Sequence, residues 1–485
     1  MYFTLHKMHS TTAYTLCSFL FSLIPASRGI KEPQTVILVS MDGMPWNLIG
    51  GTFAETPNLD NVAKNGVKAK YLRTVVPSKT WPTHQSFLTG LYPESHGIVS
   101  NRFWDPVYEE TFILEYDCTT FDPKFYNDSE PIWLTLQRSK TNKGRSGVYF
   151  WPGFGGYSEK PSFYRKPVCK LNCSAVDPKK LSNLRNTTRS SYPPYDHCYP
   201  DFFNDNESYP RRVDRVISWL KSKDPPRFVA LYIDAPDWKG HSDGALSKAY
   251  KDSIEKVDKD AVGYLLDQLE REKFIDKVNL IFVSDHSMVN ISSDRVVLLD
   301  KYIDPSTYRL IESGPIGQIW PNEGKLDEIY TNLTMPKSHK HLQVYKKAEI
   351  PQEYHWKHNR RIPPIFVEPD VGWTVTTSNA TVPPGEWVRG THGWPPQKAK
   401  TYSILFAQGP AFKVGYEIEP FSILDLYPMM CDLLGIEPRP HNGTMKIVQK
   451  TYKDDRSARA GQQSLIAWSP RLLVVAISVF VSMAL

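Results

Sequence analysis

The sequence lacks several features that define other classes of protein. Its six cysteines show no zinc-finger spacing. Lys and Arg are scattered among Asp and Glu and leave a net charge of only +6 over 485 residues, so no basic stripe for nucleic acid is present. No internal repeat is visible either. A hydrophobic content of 41% is enough for a packed interior, and the length suits one α/β core with inserted loops.

Long apolar runs are absent as well, and two short ones lie at the ends of the chain. Residues 1–29 contain Lys7, an apolar run and then small residues, which is the pattern of a secretory signal peptide. The apolar tail 472–485 has only 14 residues, whereas a membrane-spanning helix needs about 20. A linker over 448–471 with small and polar residues precedes it. The tail therefore predicts a GPI (glycolipid) anchor signal, and a single-pass membrane anchor is the alternative.

Glycosylation motifs are numerous. Eight Asn-x-Ser/Thr sequons follow the signal peptide, at Asn127, Asn172, Asn186, Asn206, Asn290, Asn332, Asn379 and Asn442. With the signal, they predict a glycoprotein on the extracellular face of the plasma membrane. The five cysteines beyond Cys17 permit two disulfides and one unpaired thiol without fixing the pairing. Three of them lie in the Pro- and Ser-rich stretch 166–210, which is predicted to be a surface insertion.

Short apolar runs alternate with helical patterns along the chain. The runs predicted as buried strands cover 36–40, 228–233, 278–284 and 402–407. The segments predicted as helices cover 57–66, 254–269 and about 421–434. The segment 337–364 shows neither pattern. The alternation predicts an α/β fold with a mostly parallel central sheet flanked by helices. Ligands bind such sheets beyond the carboxyl ends of the strands.

Acidic and imidazole side chains follow three of these predicted strands. They are Asp42, then Asp237 and His241, then Asp285 and His286, and His392 follows in a Gly-Thr-His-Gly segment. Singly, such an Asp is more often a helix cap and such a His an ordinary polar residue. Together at strand ends they indicate a two-metal site, because carboxylate and imidazole suit zinc or a similar ion.

Thr80, in Pro77-Ser78-Lys79-Thr80, is the candidate nucleophile. A threonine hydroxyl is a poor nucleophile until a base or a metal lowers its pKa. No nearby residue forms an obvious triad with Thr80, so a metal would supply the activation. A turn or cap hydroxyl is the alternative interpretation.

Ordered motifs along the chain narrow these interpretations. They are Ser40-Met41-Asp42-Gly43, Thr56-Pro57-Asn58-Leu59, Pro77-Ser78-Lys79-Thr80, the segment 89–98 (TGLYPESHGI), Phe150-Trp151-Pro152-Gly153, Pro236-Asp237 with Gly240-His241, Val283-Ser284-Asp285-His286, and Met430-Cys431-Asp432. This set resembles the ectonucleotide pyrophosphatase/phosphodiesterases of the alkaline phosphatase superfamily. The resemblance implies a single phosphodiesterase catalytic domain over 34–447. The somatomedin-like and nuclease-like domains of larger members are absent, so the resemblance is to a short form with the catalytic domain only.

The resemblance implies a role for each site residue. The ligands of one zinc would be Asp42, Thr80, Asp285 and His286, and those of the other Asp237, His241 and His392. Thr80 would form a phosphothreonine intermediate that water hydrolyses. Asn101 would hold a non-bridging phosphoryl oxygen, and a nucleotide base would stack between Trp81 and Tyr164. The implied reaction is cleavage of phosphodiester or pyrophosphate bonds in substrates such as ATP, dinucleotides or NAD.

Some positions depart from the family pattern, and alternatives stay open. Ser287 stands where the family has Gly after Asp-His, Asp234 and Ala235 replace two Glu, and Thr83 replaces Asn. None of these changes removes a ligand. A choline-lysophospholipid phosphodiesterase of the same fold and a non-catalytic surface glycoprotein are the competing hypotheses. For the aromatic pair, core packing is the competing interpretation.

Overall fold

The fold is described from a computed structural model. Residues 34–114, 118–165, 168–169, 200–201, 207–335, 340–378 and 388–453 are described, and Gln34 begins the compact unit that contains them. The predicted signal peptide, the apolar tail, most of 166–210 and the sequons Asn172, Asn186, Asn206 and Asn379 lie outside these residues. The side chains of Asn127, Asn290 and Asn442 are exposed.

The strands are short, and most alternate with helices. Their bounds are β1 Thr35–Met41, β2 Val67–Ala69, β3 Leu72–Arg73, β4 Arg102–Asp105, β5 Glu110–Ile113, β6 Ser146–Tyr149, β7 Phe163–Arg165, β8 Val168–Cys169, β9 Pro200–Asp201, β10 Phe228–Ile233, β11 Val278–Val283, β12 Val289–Asn290, β13 Val296–Leu298, β14 Tyr308–Glu312, β15 Gly317–Pro321, β16 Leu342–Lys346, β17 Ile365–Pro369, β18 Thr374–Thr376, β19 Gly390–Thr391, β20 Leu405–Gln408, β21 Tyr416–Ile418 and β22 Phe421–Ser422.

The helices pack mainly around these strands. The α-helices are α1 Pro57–Asn65, α2 Thr80–Thr89, α3 Pro93–His96, α4 Ile132–Arg138, α5 Tyr209–Leu220, α6 Asp237–Asp243, α7 Lys248–Val257, α8 Tyr264–Arg271, α9 Leu326–Thr334, α10 Pro396–Ala399 and α11 Leu426–Leu434. A π-helical segment, Asp258–Gly263, joins α7 to α8. The 3₁₀ turns are Cys118–Phe121, Pro123–Tyr126, Phe154–Gly156, Leu299–Lys301, Pro305–Thr307, Lys347–Glu349, Gln352–Tyr354, Ile423–Asp425 and Val448–Thr451.

Eight strands form the central sheet, in the order β21–β2–β20–β11–β1–β10–β6–β7. The neighbours β7, β6, β10, β1 and β11 are all parallel. β20 runs antiparallel to both of its neighbours. Strands β10 and β11 are buried along their whole length, as is typical of strands covered by helices on both faces. The predicted α/β fold with a mostly parallel sheet is confirmed.

A smaller sheet lies after β13 in the chain. Its four strands pair antiparallel in the order β14–β15–β17–β16. It has its own apolar core, to which Ile319, Ile365 and Val367 belong. Strand β16 of this sheet lies within the segment 337–364, for which the sequence showed no pattern. The pattern is missing because this strand is only half-buried and mixes polar with apolar residues.

Two elements begin several residues later than the sequence predicts. The last predicted strand begins at Leu405 instead of 402, and its antiparallel direction places its carboxyl end at the opposite edge of the sheet. The predicted helix from about 421 begins at Leu426, because Phe421–Ser422 pairs with Leu72–Arg73 and a 3₁₀ turn follows. This helix ends at Gly435, which has the left-handed φ of +66°.

Two further observations concern the helices and a cysteine of the described part of the chain. Among the described residues, no helix is both long and apolar enough to span a bilayer. Cys431 is a free, buried thiol on α11, and burial raises its pKa above the usual range.

Candidate metal centre and nucleophile

Three neighbouring parallel strands deliver the acidic residues of the site. Ser40 of β1 is in register with Tyr232 of β10 and with Val283 of β11, so the three strands end together. Asp42 follows β1 directly, and its carbonyl oxygen accepts a hydrogen bond from the Asp237 amide at 3.0 Å. Gly43 has φ +69°, and a Cβ there would lie 2.8 Å from the Asp237 backbone. Only glycine therefore allows these two loops to approach so closely.

The first cluster contains Asp237, His241 and His392. Asp237 Oδ1 lies 3.4 Å from His241 Nε2 and 3.7 Å from His392 Nε2. Each histidine donates its Nδ1–H to a backbone carbonyl, His241 to Gly390 at 2.8 Å and His392 to Ser78 at 2.9 Å. These hydrogen bonds fix the tautomer and present both Nε2 atoms to a common point, as in metal-ligating histidines.

The second cluster surrounds His286. Its Nε2 lies 3.1 Å from Asp285 Oδ2, 3.3 Å from Asp42 Oδ1 and 3.3 Å from the Thr80 hydroxyl. Ligand atoms of Asp42, Asp237 and His286 also lie within 4.8 Å of one another. Asp237 is thus near both clusters, whereas the family resemblance assigns it to one ion only.

The donor set fits a pair of cations. Asp42 Oδ1, Asp237 Oδ1 and Asp285 Oδ2 are buried and make no hydrogen bond to any residue that the structure describes. Buried carboxylate oxygens without hydrogen bonds are costly, and a divalent cation would satisfy all three. Three carboxylates with imidazoles are a ligand set suited to zinc or a related transition metal.

The pKa shifts of the centre also agree with a site for cations. Burial and the charges of Asp285 and Asp237 raise the pKa of Asp42 well above its usual range, and burial raises the pKa of Asp237. Burial would also raise the pKa of Asp285, but the His286 imidazole outweighs it and the pKa lies below the usual range. Burial holds the pKa of His392 well below the usual histidine value. The site therefore disfavours the anionic forms of Asp42 and Asp237, and it keeps His392 neutral and able to bind a metal.

Thr80 is the first residue of α2, and Asn101 lies beside it. The Trp81 amide donates to Asn101 Oδ1 at 3.0 Å, which leaves the Asn101 NH₂ group free to donate to a ligand. The N-cap residue Lys79 offers no side-chain cap to α2. Pro82 in the first turn of this helix has no N–H, and the Thr83 amide donates to the Lys79 carbonyl at 3.1 Å. The Asn101 side chain, rather than the amides of this turn, is therefore the candidate that could hold a phosphoryl oxygen.

The two aromatic candidates differ in exposure. The Trp81 side chain is buried at 3% relative exposure, and its indole N–H donates to the Tyr126 hydroxyl at 3.3 Å. Tyr164 on β7 is 37% exposed, with its ring 6.2 Å from the Phe154 ring. Tyr164 thus offers a larger open aromatic surface than Trp81.

Several supporting residues were not predicted from the sequence. The Tyr232 hydroxyl donates to Asp42 Oδ2, but within the apolar run of β10 nothing marks this tyrosine as functional. The buried Arg212 donates to Asp234 Oδ1 at 2.6 Å, which anchors the loop before Asp237. Ser287 donates its hydroxyl to the Tyr402 carbonyl at 2.8 Å, so this departure from the family pattern adds a hydrogen bond beside His286.

Comparison with known proteins extends this picture. The chain matches the family model for type I phosphodiesterase / nucleotide pyrophosphatase over residues 36–395. Human ectonucleotide pyrophosphatase/phosphodiesterase family member 5 is 34% identical over 442 residues, covering 90% of this chain and 83% of that protein. Human bis(5′-adenosyl)-triphosphatase is 33% identical over 413 residues, covering 85% and 80%. Mouse family member 7 is 32% identical over 483 residues, covering 98% and 99%.

A solved structure is similar over the same region. It is mouse family member 5 as an inactive threonine-to-alanine variant in complex with AMP. Its TM-score is 0.74 at 34% identity, with 87% of this chain and 100% of that chain covered.

The fold, and the Asp and His side chains at its strand ends that could bind a metal, are those of a metallo-phosphodiesterase with the alkaline phosphatase superfamily fold. More narrowly, the chain belongs to the type I phosphodiesterase / nucleotide pyrophosphatase family and is a hydrolase. The family resemblance noted in the sequence is confirmed.

Proposed function

We propose that this hydrolase uses two zinc ions and Thr80 to cleave phosphodiester and pyrophosphate bonds of nucleotides and their derivatives. The observation that carries the proposal is the position of the Thr80 hydroxyl, 3.3 Å from His286 Nε2, which itself lies 3.3 Å from Asp42 Oδ1 and 3.1 Å from Asp285 Oδ2. One ion would be held by Asp42, Thr80, Asp285 and His286. The other would be held by Asp237, His241 and His392.

Each residue has a distinct part in the proposed reaction. When bound, the zinc ions would lower the pKa of the Thr80 hydroxyl and offset charge on the phosphoryl oxygens. Thr80 Oγ1 attacks phosphorus, the bond to the leaving oxygen breaks, and the threonine proton ends on that oxygen. Water then attacks the same phosphorus, breaks the bond to Thr80 and returns a proton to it. The Asn101 NH₂ group holds a non-bridging oxygen throughout.

Two relatives support a threonine nucleophile and nucleotide substrates. The inactive mouse variant lost one threonine and was solved with AMP. Another relative is named for hydrolysis of bis(5′-adenosyl) triphosphate. Both facts agree with a nucleoside monophosphate as a product.

Removal of metal tests this proposal directly. Chelation should abolish turnover of a phosphodiester, zinc should restore it, and metal analysis should find about two ions per chain, as a two-metal clamp requires. Zinc should also raise the melting temperature of the chelated protein, because a ligand that binds only the native state stabilises it. Full activity in a metal-free preparation would refute the mechanism.

We propose that Tyr164 and Trp81 contact the base of the substrate. Loss of one stacking face costs about 1–3 kcal/mol, so Tyr164→Ala should raise KM for ATP by roughly tenfold or more. It should change KM for a small phosphodiester without a base far less. Trp81→Ala is expected to lower thermal stability too, because its buried indole would leave a cavity.

A panel of substrates distinguishes nucleotide hydrolysis from hydrolysis of choline lysophospholipids. ATP, a dinucleotide, NAD and a lysophosphatidylcholine would be offered in parallel to wild type and to Tyr164→Ala. If the nucleotide proposal is right, wild type turns over ATP, the dinucleotide and NAD. The variant should then lose activity mainly on these three substrates. If only the choline lipid were cleaved, the lysophospholipid hypothesis would replace it. Equal losses on ATP and the base-free ester would assign Tyr164 to the scaffold.

We propose that the enzyme acts on the extracellular surface and is attached there through its C-terminus by a glycolipid. The signal peptide, the sequons and the short tail 472–485 support this location. Phosphatidylinositol-specific phospholipase C should then release active enzyme from intact cells. Enzyme that stays on the membrane, with the C-terminal peptide still detectable, would instead establish a transmembrane tail.

A further inference from the structure

A buried ion pair lies beside the proposed nucleophile. Lys79, the residue before Thr80, places its Nζ 2.5 Å from Glu312 Oε1. Both side chains are shielded, with 10% and 6% of their surface exposed. Glu312 is the last residue of β14 in the smaller sheet. A β-bulge between Leu310 and Glu312 shifts the register there, and bulges commonly redirect a side chain.

The other carboxylate oxygen of Glu312 contacts the loop that carries Asn101. Glu312 Oε2 accepts hydrogen bonds from the Ser100 hydroxyl at 2.5 Å and from Gln318 Nε2 at 2.8 Å. Gln318 Nε2 also donates to the Arg102 carbonyl at 3.0 Å. The carboxylate is therefore linked to both neighbours of Asn101, to Ser100 directly and to Arg102 through Gln318.

The stem of Lys79 touches a third site segment. Gly393 follows His392 and has φ +131°. A Cβ at Gly393 would lie 2.7 Å from Lys79 Cε, so the lysine stem fills the space that a side chain would need. Ser78 also accepts the Nδ1–H of His392 through its carbonyl. The segment 78–80 is thus held against the loop of one ligand histidine as well as against Glu312.

From this juxtaposition we infer that Glu312 is a positioning residue for the phosphodiesterase reaction. Glu312 contacts Lys79 next to Thr80 and Ser100 next to Asn101. It thereby keeps the attacking oxygen of Thr80 at a fixed position relative to the Asn101 side chain that holds the phosphoryl group. This role rests on the function proposed above. Misplacement by about 1 Å in such a site costs on the order of a hundredfold in rate. A buried ion pair alone is weak evidence for stability, which favours a positioning role.

The test compares Glu312→Gln with Glu368→Gln. Glu368 of β17 is a matched control, since it is a buried carboxylate of the same sheet that accepts bonds from Lys398 at 2.6 Å and from the Tyr354 hydroxyl at 3.0 Å. Glu312→Gln should lower kcat on a base-free phosphodiester by roughly tenfold to a hundredfold. Its KM should change less than about threefold, and its zinc content should stay at the wild-type level. Glu368→Gln should lower the melting temperature but keep the wild-type kcat.

A double variant separates positioning from folding. Lys79→Met with Glu312→Gln leaves no unpaired buried charge, so its melting temperature should recover towards wild type while kcat stays low. Recovery of kcat together with the melting temperature would overturn the inference, as would a Glu312→Gln kcat within twofold of wild type. Loss of zinc from Glu312→Gln would overturn it as well. A wild-type protein without phosphodiesterase activity would refute the proposed function itself, and the inference with it.

Discussion

Thr80→Ala is expected to lower kcat for every phosphodiester by roughly a thousandfold or more. The hydroxyl is the attacking atom in the proposed reaction, and alanine offers none. Folding should be little affected, because among the described residues the hydroxyl bonds only to His286 Nε2, at 3.3 Å. Steady-state kinetics on the purified, secreted variant, with its melting temperature and zinc content, checks both statements.

Thr80→Ser is the matched control for this variant. Serine keeps the hydroxyl and removes one methyl group, so it should keep turnover far above that of Thr80→Ala. If Thr80→Ala kept more than about a tenth of the wild-type rate, another group would be the nucleophile.

Asp237→Ala should also abolish turnover, for a different reason. Asp237 Oδ1 lies near both histidines of the first cluster, and the carboxylate also lies near Asp42 and His286. Its loss should therefore weaken the binding of both proposed ions, and the zinc content should fall from about two per chain to one or less. Alanine keeps the Cβ that packs against Gly43, so the loop should remain folded.

Asp243→Ala provides the control, because Asp243 lies on the same helix and accepts a hydrogen bond from Ser242 at 2.5 Å. It should retain two zinc ions and near-wild-type kcat. Wild-type zinc content in Asp237→Ala would contradict the assignment of Asp237 as a ligand.

The sequence was most informative where a strand ends in a polar residue. Asp42, Asp237 and Asp285 follow continuous apolar runs, and parallel strands must bring their carboxyl ends together. The structure places all three with His241, His286 and His392 in one centre. Strand order and the antiparallel direction of β20 could not be predicted, since they depend on pairing between segments far apart in the chain.

Residues that support the centre from elsewhere were the hardest to predict. Tyr232 lies inside an apolar strand. Glu312 lies on a half-buried strand of the smaller sheet, more than 200 positions from Lys79 and Ser100, its partners near the site. Their local sequence carries no signal because the partners meet only through tertiary packing. The helix predicted from about 421 is present, but its start was misplaced for a similar reason, since Phe421 pairs with Leu72.

The stereochemical course at phosphorus tests the central claim most directly. A phosphorothioate diester of one configuration would be hydrolysed in ¹⁸O-labelled water, and the configuration of the released monoester determined. Attack by Thr80 followed by attack of water makes two in-line displacements, each of which inverts phosphorus, so net retention is predicted. Net inversion would mean that water attacks the substrate directly and would contradict a covalent intermediate on Thr80.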